Sequence, residues 1–178
     1  MYQEILDFWF TELKPSDWWK KSETLDGTIA QRFSGTHESG ARCELFEWRS
    51  TSLGRLAEVI VLDQFSRNIF RDTNLAFAHD SLALALSQEA VSAGADQALS
   101  PLEKSFLYMP FMHSESLKIH EEGLRLFTGT GIAANIDFEK KHKAIIERFG
   151  RYPHRNKILG RESTEEESLF LKEPASGF

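Results

Sequence analysis

The stretch from Leu53 to Arg71 reads as one helix buried nearly all round, with polar side chains on it, and few folds can accommodate it. Thr51-Ser52 offers a helix start. At about 100° per residue, Leu53, Leu56 and Ile60 share one face, and that face continues through Asp63, Gln64, Arg67 and Arg71. Val61, Leu62, Phe65 and Ile69 cover the opposite side. Such a helix has to be wrapped by other elements. Its polar side chains then need partners from elsewhere in the chain, because an unpaired buried polar group costs about 1–3 kcal/mol.

The rest of the chain supplies helices to do the wrapping. Glu4 to Thr11 carries Ile5, Phe8 and Trp9 on one side and stops before Pro15, and Trp18-Trp19 reads as a pair of hydrophobic anchors. Thr24 is a candidate cap for a helix with Leu25, Ile29 and Phe33. Gly35 and Gly40 bracket a polar connection, and Ala41 to Arg49 forms a third helix. Leu75 to Ala93 keeps helical spacing up to Gly94. Ser100-Pro-Leu-Glu103 is a capping box with Pro at the first helical position, and that helix is expected to end near Tyr108, before Pro110. Ser114-Glu-Ser116 starts another helix, with Leu117, Leu124 and Phe127 inward, and Thr128 to Gly131 is a loop. Phe138 to Phe149 follows, stopped by Gly150. Pro153 to Leu159 makes one turn. Ser163-Thr-Glu-Glu-Glu-Ser168 opens a last helix packed down by Leu169, Phe170 and Leu171. No segment alternates at period two. The chain is therefore expected to be all-α, with antiparallel helix pairs stacked in about eight to ten helices. Residues 1–172 form one domain and 173–178 a loose tail.

Composition narrows the function classes. Hydrophobic residues make up 41% of the chain, with 14 Phe and 4 Trp, so a core can form without disulfides. Cys43 is the lone cysteine, which suits a reducing compartment, and it reads as a buried thiol on the third helix. No run approaches the roughly 18 apolar residues of a membrane span, and the acids near the N-terminus do not fit a signal peptide. A cytoplasmic protein is expected. The net charge of −6 argues against nucleic acid and anionic membranes as partners. The sequence does not specify an oligomeric state.

Three segments concentrate side chains that do chemistry. The first holds Asp63, Gln64, Arg67, Asn68 and Arg71. The second is Met109-Pro-Phe-Met-His-Ser-Glu115, with His113 and Glu115. The third is Phe149-Gly-Arg-Tyr-Pro-His-Arg-Asn156 with Arg151, His154, Arg155 and Asn156, extended by Arg161. Intrahelical pairing accounts for part of the first, since Asp63 with Arg67 and Gln64 with Asn68 stand at i,i+4. Guanidinium groups in the third suit carboxylate or phosphate, or pair with Asp63, Glu115 or the Glu165-Glu-Glu167 run. No metal or cofactor is expected. His113 and Glu115 face different ways on a helix, and the chain has no HExxH pair, P-loop, GxGxxG or GxSxG. The leading expectation is a binding module in which these arginines meet an anionic small molecule or peptide. Its alternatives are an enzyme using His113 or His154 as acid or base beside Glu115 or Asp63, and a scaffold whose polar network is only structural.

These segments also carry a resemblance. Asp7-Phe-Trp-Phe10, Trp18-Trp19, Leu62-Asp-Gln-Phe-Ser-Arg-Asn-Ile-Phe-Arg71, Ala76-Phe-Ala-His-Asp80, Phe106-Leu-Tyr-Met-Pro-Phe-Met-His-Ser-Glu115, Phe149-Gly-Arg-Tyr-Pro-His-Arg-Asn156, Leu159-Gly-Arg161 and Ser163-Thr-Glu-Glu-Glu167 stand in order. Over nearly the whole chain they resemble the mostly bacterial domain-of-unknown-function family numbered 924. The resemblance implies a tetratricopeptide-like, right-handed helical array and brings no activity with it. The family pattern often has Gln at the position of His120, a departure that would make a pocket there sensitive to pH.

Overall fold

The structure is a computed structural model that describes residues 1–174. Among the described residues there is no strand. Helix α1 spans Tyr2–Asp7 and continues as a π-helical turn over Phe8–Glu12. Helix α2 covers Glu23–Ala41, α3 Ser52–Ile60, α4 Ser66–Ile69, α5 Asp80–Ser92, α6 Pro101–Met112, α7 Leu117–Thr130, α8 Ala133–Phe149 and α9 Glu165–Phe170. Short 3-10 turns at Phe46–Ser50, Asn74–Phe77 and Pro153–Arg155 join some of them.

The central helix lies where its apolar girth requires. Thr51 caps it, accepting from the Gly54 N–H at 3.0 Å, and every residue from Leu56 to Ser66 is buried. α1, α5 and α6 pack on α3, while α2 packs on α4 and on the turn between the two. That turn, Val61–Phe65, is π-helical and carries Asp63 and Gln64. Such turns insert an extra residue into a helix and are frequent at functional sites. Phe8, Trp9, Phe33, Phe65 and Phe106 form its aromatic surround, with neighbouring ring centroids 5.0–6.1 Å apart. α6, α7 and α8 pack consecutively beyond it. A smaller apolar group, Ile145, Ile146 and Tyr152 with Phe149 and Phe170, holds the C-terminal segment.

Several boundaries differ from those expected. α2 is capped by Ser22 rather than Thr24, and it runs straight through Gly35 to Ala41. Gly40 faces Leu45, Val61 and Leu62 closely, so its missing side chain serves packing and does not break the helix. The expected third helix over Ala41–Arg49 is instead a series of turns. Cys43 sits there at φ 60° and is exposed, not buried. Leu75 lies in a 3-10 turn, and α5 begins only at Asp80. Pro110 is inside α6, which continues to Met112; the buried contacts of Phe111 and Met112 outweigh one missing backbone hydrogen bond. Thr128–Thr130 belongs to α7, which ends at Gly131 in the left-handed region. Leu117, Leu169 and Leu171 face solvent, and the packing expected of the last two falls to Phe170, against Phe149. Trp18 anchors against Trp9 and Phe106, whereas Trp19 is 63% exposed. Of the tail expected at 173–178, residues 175–178 lie outside the described part.

Candidate functional site

The π-helical turn carries Asp63 into the interior, where three side chains hold it. His113 Nδ1 lies 2.7 Å from Asp63 Oδ1, Gln64 Nε2 donates to Oδ2 at 2.5 Å, and Arg67 Nη1 stands 3.1 Å from Oδ1 while donating to the Asp63 carbonyl. Burial alone would push the Asp63 carboxyl up, but Arg67, His113 and Gln64 together hold it below the usual carboxylate range. His113 is the C-cap residue of α6. Burial and the Arg67 charge lower its pKa, against the pull of Asp63.

Asp80, the first residue of α5, ties this group to the C-terminal segment. Arg67 lies 3.1 Å from its Oδ1, and Arg155 Nη1 donates to its Oδ2 at 3.3 Å. The Arg155 guanidinium lies between the faces of Phe77 and Tyr152, 4.6 Å from each ring centroid. Its Nε is shut off from solvent with no acceptor. Burial, and then Arg67, make its charged form less favourable than that of an ordinary arginine. A cleft of ≈ 440 Å³ opens over this group. His113, Ser114, Glu115, Asp80, Ser81, Asn74 and Arg155 give it a polar side, and Phe77, Ala78, Leu84, Pro110 and Leu159 an apolar one. Pro110 lines it because α6 does not stop where its sequence suggests.

The remaining candidates divide between two other networks. Glu115 accepts from the Tyr152 N–H at 2.7 Å and forms a two-point pair with Arg161 at 2.6 and 2.9 Å. Burial raises its pKa, and Arg161 with the Tyr152 amide more than reverses that. Arg151 forms a similar pair with Glu167 at 2.6 and 2.8 Å, and Asn156 bonds Glu167, Ser163 and Arg161. On the far side of the central helix, Arg71 and Asn68 both bond Asp26 of α2. Asn68 therefore does not pair with Gln64, which bonds Asp63 instead. His154 packs beside Tyr152, and burial lowers its pKa to about 4.

Of the residues singled out in the sequence, His113, Glu115 and Arg155 line the cleft, and Asp63, Gln64 and Arg67 form the network bonded to His113 and Asp80. Arg71, Asn68, Arg151, Asn156 and Arg161 are engaged elsewhere. Asp80 and Phe77 were missed as site residues, although the Ala76-Phe-Ala-His-Asp80 segment contained both. No group of three or more His, Cys, Asp or Glu among the described residues is arranged to hold a metal ion.

No curated protein matches the chain. A solved structure of a protein of unknown function from Agrobacterium tumefaciens is similar to it, with 38% sequence identity, a TM-score of 0.93 and coverage of 97% of each chain. The family of bacterial proteins of unknown function DUF924 matches residues 5–175, and the chain belongs to that family.

Proposed function

We propose that the protein is a binding module whose cleft beside His113 takes a small monoanion, a carboxylate with an apolar body, and that its helix pairs stack in a tetratricopeptide-like array around that cleft. One observation carries the reading. Among the described residues the buried Arg155 guanidinium makes a single hydrogen bond, a long one to Asp80, and its Nε has no acceptor. A buried guanidinium with so few acceptors gains from an arriving anion. The surrounding charge sets the size of that anion. Arg67 and Arg155 face Asp63 and Asp80, and Glu115 faces Arg161, so the formal charges cancel. With those charges already cancelled, every negative charge a ligand brings is extra, so a polyphosphate costs most and a monoanion, which takes its hydrogen bonds from the Arg155 guanidinium, costs least. Phe77, Leu84, Pro110 and Leu159 suit an alkyl or aryl body. A peptide C-terminus belongs to the same chemical class. Among the described residues no helix is long and apolar enough to cross a membrane.

Thermal melts with phenylacetate, butyrate and inorganic phosphate test this. A ligand at about 100 times its dissociation constant adds about 2.7 kcal/mol. The expected result is a rise of several degrees with the carboxylates, none with phosphate, and none in Arg155→Lys. A flat response to every carboxylate overturns the reading.

A further inference from the structure

The cleft contains a histidine that anion binding alone does not require. We infer that Asp63 and His113 form an acid–base pair that hydrolyses a carboxylate-bearing ester held in the cleft, an inference that rests on the binding role of Arg155 proposed above.

The geometry is directional. His113 Nδ1 is committed to the buried Asp63 oxygen at 2.7 Å. With the Asp63 charge kept by Arg67 and Gln64, Nδ1 carries the hydrogen. Nε2 is then the basic nitrogen, and it belongs to a side chain that lines the cleft and is 16% exposed. An anchored carboxylate that orients the imidazole and stabilises its protonated form is the arrangement general-base catalysis needs. The charged groups around the ring favour the neutral form at rest. Arg67 of the central helix opposes a second proton, Asp63 and Asp80 favour it, and burial tips the balance to neutral; His142 of α8 and His154, the other imidazoles nearby, are kept neutral by burial and add no charge. The N-terminal end of α5, at Asp80 and Ser81, borders the same cleft and turns the positive end of the helix dipole toward charge developing there.

The reaction uses water alone. His113 Nε2 takes a proton from a water molecule as its oxygen bonds to the acyl carbon. The tetrahedral intermediate collapses, the bond to the leaving oxygen breaks, and that oxygen takes the proton back from Nε2. An acid and an alcohol leave, and the imidazole is neutral again. Arg155 binds the substrate's distal carboxylate. Phe77 and Leu84 flank the chain between the two ends.

The probe is 4-nitrophenyl hydrogen succinate, with 4-nitrophenyl acetate as the uncharged control. Wild type is expected to hydrolyse the charged ester preferentially, with a rate that rises with pH through a midpoint below the ordinary histidine value of 6.5. His113→Gln is expected to lower kcat at least about 100-fold, the lower end for a lost general base. Arg155→Lys raises KM and erases the preference for the charged ester. Asp63 is a positioning residue, so Asp63→Asn lowers kcat with little change in KM and shifts the pH midpoint, and Asp63→Glu restores part of the rate. Circular dichroism confirms that each variant is folded, and the wild-type pH profile tests the pair without any substitution. Absence of turnover above buffer overturns the inference, as does a rate that folded His113→Gln leaves unchanged. If phenylacetate still stabilises wild type through Arg155 while the ester is not hydrolysed, the binding reading stands and the catalytic one falls. If neither occurs, both fall.

Discussion

His120 Nδ1 lies 2.7 Å from Glu139 Oε1, and both side chains are fully buried. The other ring nitrogen, Nε2, faces two acceptors, the Ser114 carbonyl at 2.9 Å and the Tyr152 hydroxyl oxygen at 3.1 Å, whose own hydrogen goes to Met112 O. Nε2 therefore carries a hydrogen, and the contact with Glu139 needs one more proton between the two partners. Burial raises the Glu139 pKa, and His120 only partly opposes that. The folded state accordingly retains a proton that the unfolded chain releases above the ordinary glutamate value of 4.5. The contribution of this pair is complete below that value and is lost as pH rises through the folded pKa. Urea melts at about pH 5 and about pH 8 should show Glu139→Gln gaining on wild type at the higher pH, because the amide supplies the hydrogen permanently. Equal slopes in both proteins would refute the shared proton. The pair also spans α7, α8, the Ser114 turn and Tyr152, so its state bears on the wall of the cleft.

Glu167 has the opposite sign. Arg151, then the Thr164 N–H and Asn156, pull its pKa down to about 2. It also closes the capping box of α9 with Thr164. Its stabilisation is complete above the ordinary value of 4.5 and fades as pH falls toward about 2. Glu167→Ala should cost about 1 kcal/mol at neutral pH, the usual loss for a helix cap. Denaturant melts across the acid range should show the two proteins converging as pH falls.

Gly54 is fixed by its neighbours. A Cβ there would lie 2.0 Å from the Trp48 carbonyl oxygen, a backbone atom that cannot swing away. Gly54→Ala is expected to destabilise by at least about 3 kcal/mol, since overpacking against backbone lies at the upper end of such costs. Gly129→Ala, where nothing lies within 4 Å of the added carbon, is the control and should leave the melting temperature near wild type.

Local signals in the sequence carried through wherever a short segment decides its own conformation. Ser100 and Glu103 form the capping box their spacing predicts. Thr51 caps the central helix, and Gly94 and Gly150 stand in the left-handed region just past helix ends. The Asp63–Arg67 pair forms at i,i+4. Signals that compete with packing were less decisive. Gly35 and Gly40 suggest a break, but α2 gains more from burying Ile29, Phe33 and His37 than the glycines cost. Pro110 suggests a stop, yet α6 buries every residue from Ser105 to Met112.

By itself the sequence determined that the chain is helical, that one helix has to be buried, and that Asp63, Arg67, His113 and Arg155 need partners, because helix period, capping and the cost of a buried polar group act on residues whatever surrounds them. Only the tertiary structure decided which partner each one takes. Arg71 goes to Asp26 and Arg151 to Glu167, while Arg67 and Arg155 converge on Asp80, because α2, α9 and α5 respectively bring those acids within reach. A side-chain hydrogen bond depends on a few ångströms of separation between segments far apart in the chain, and spacing along the sequence does not encode that distance.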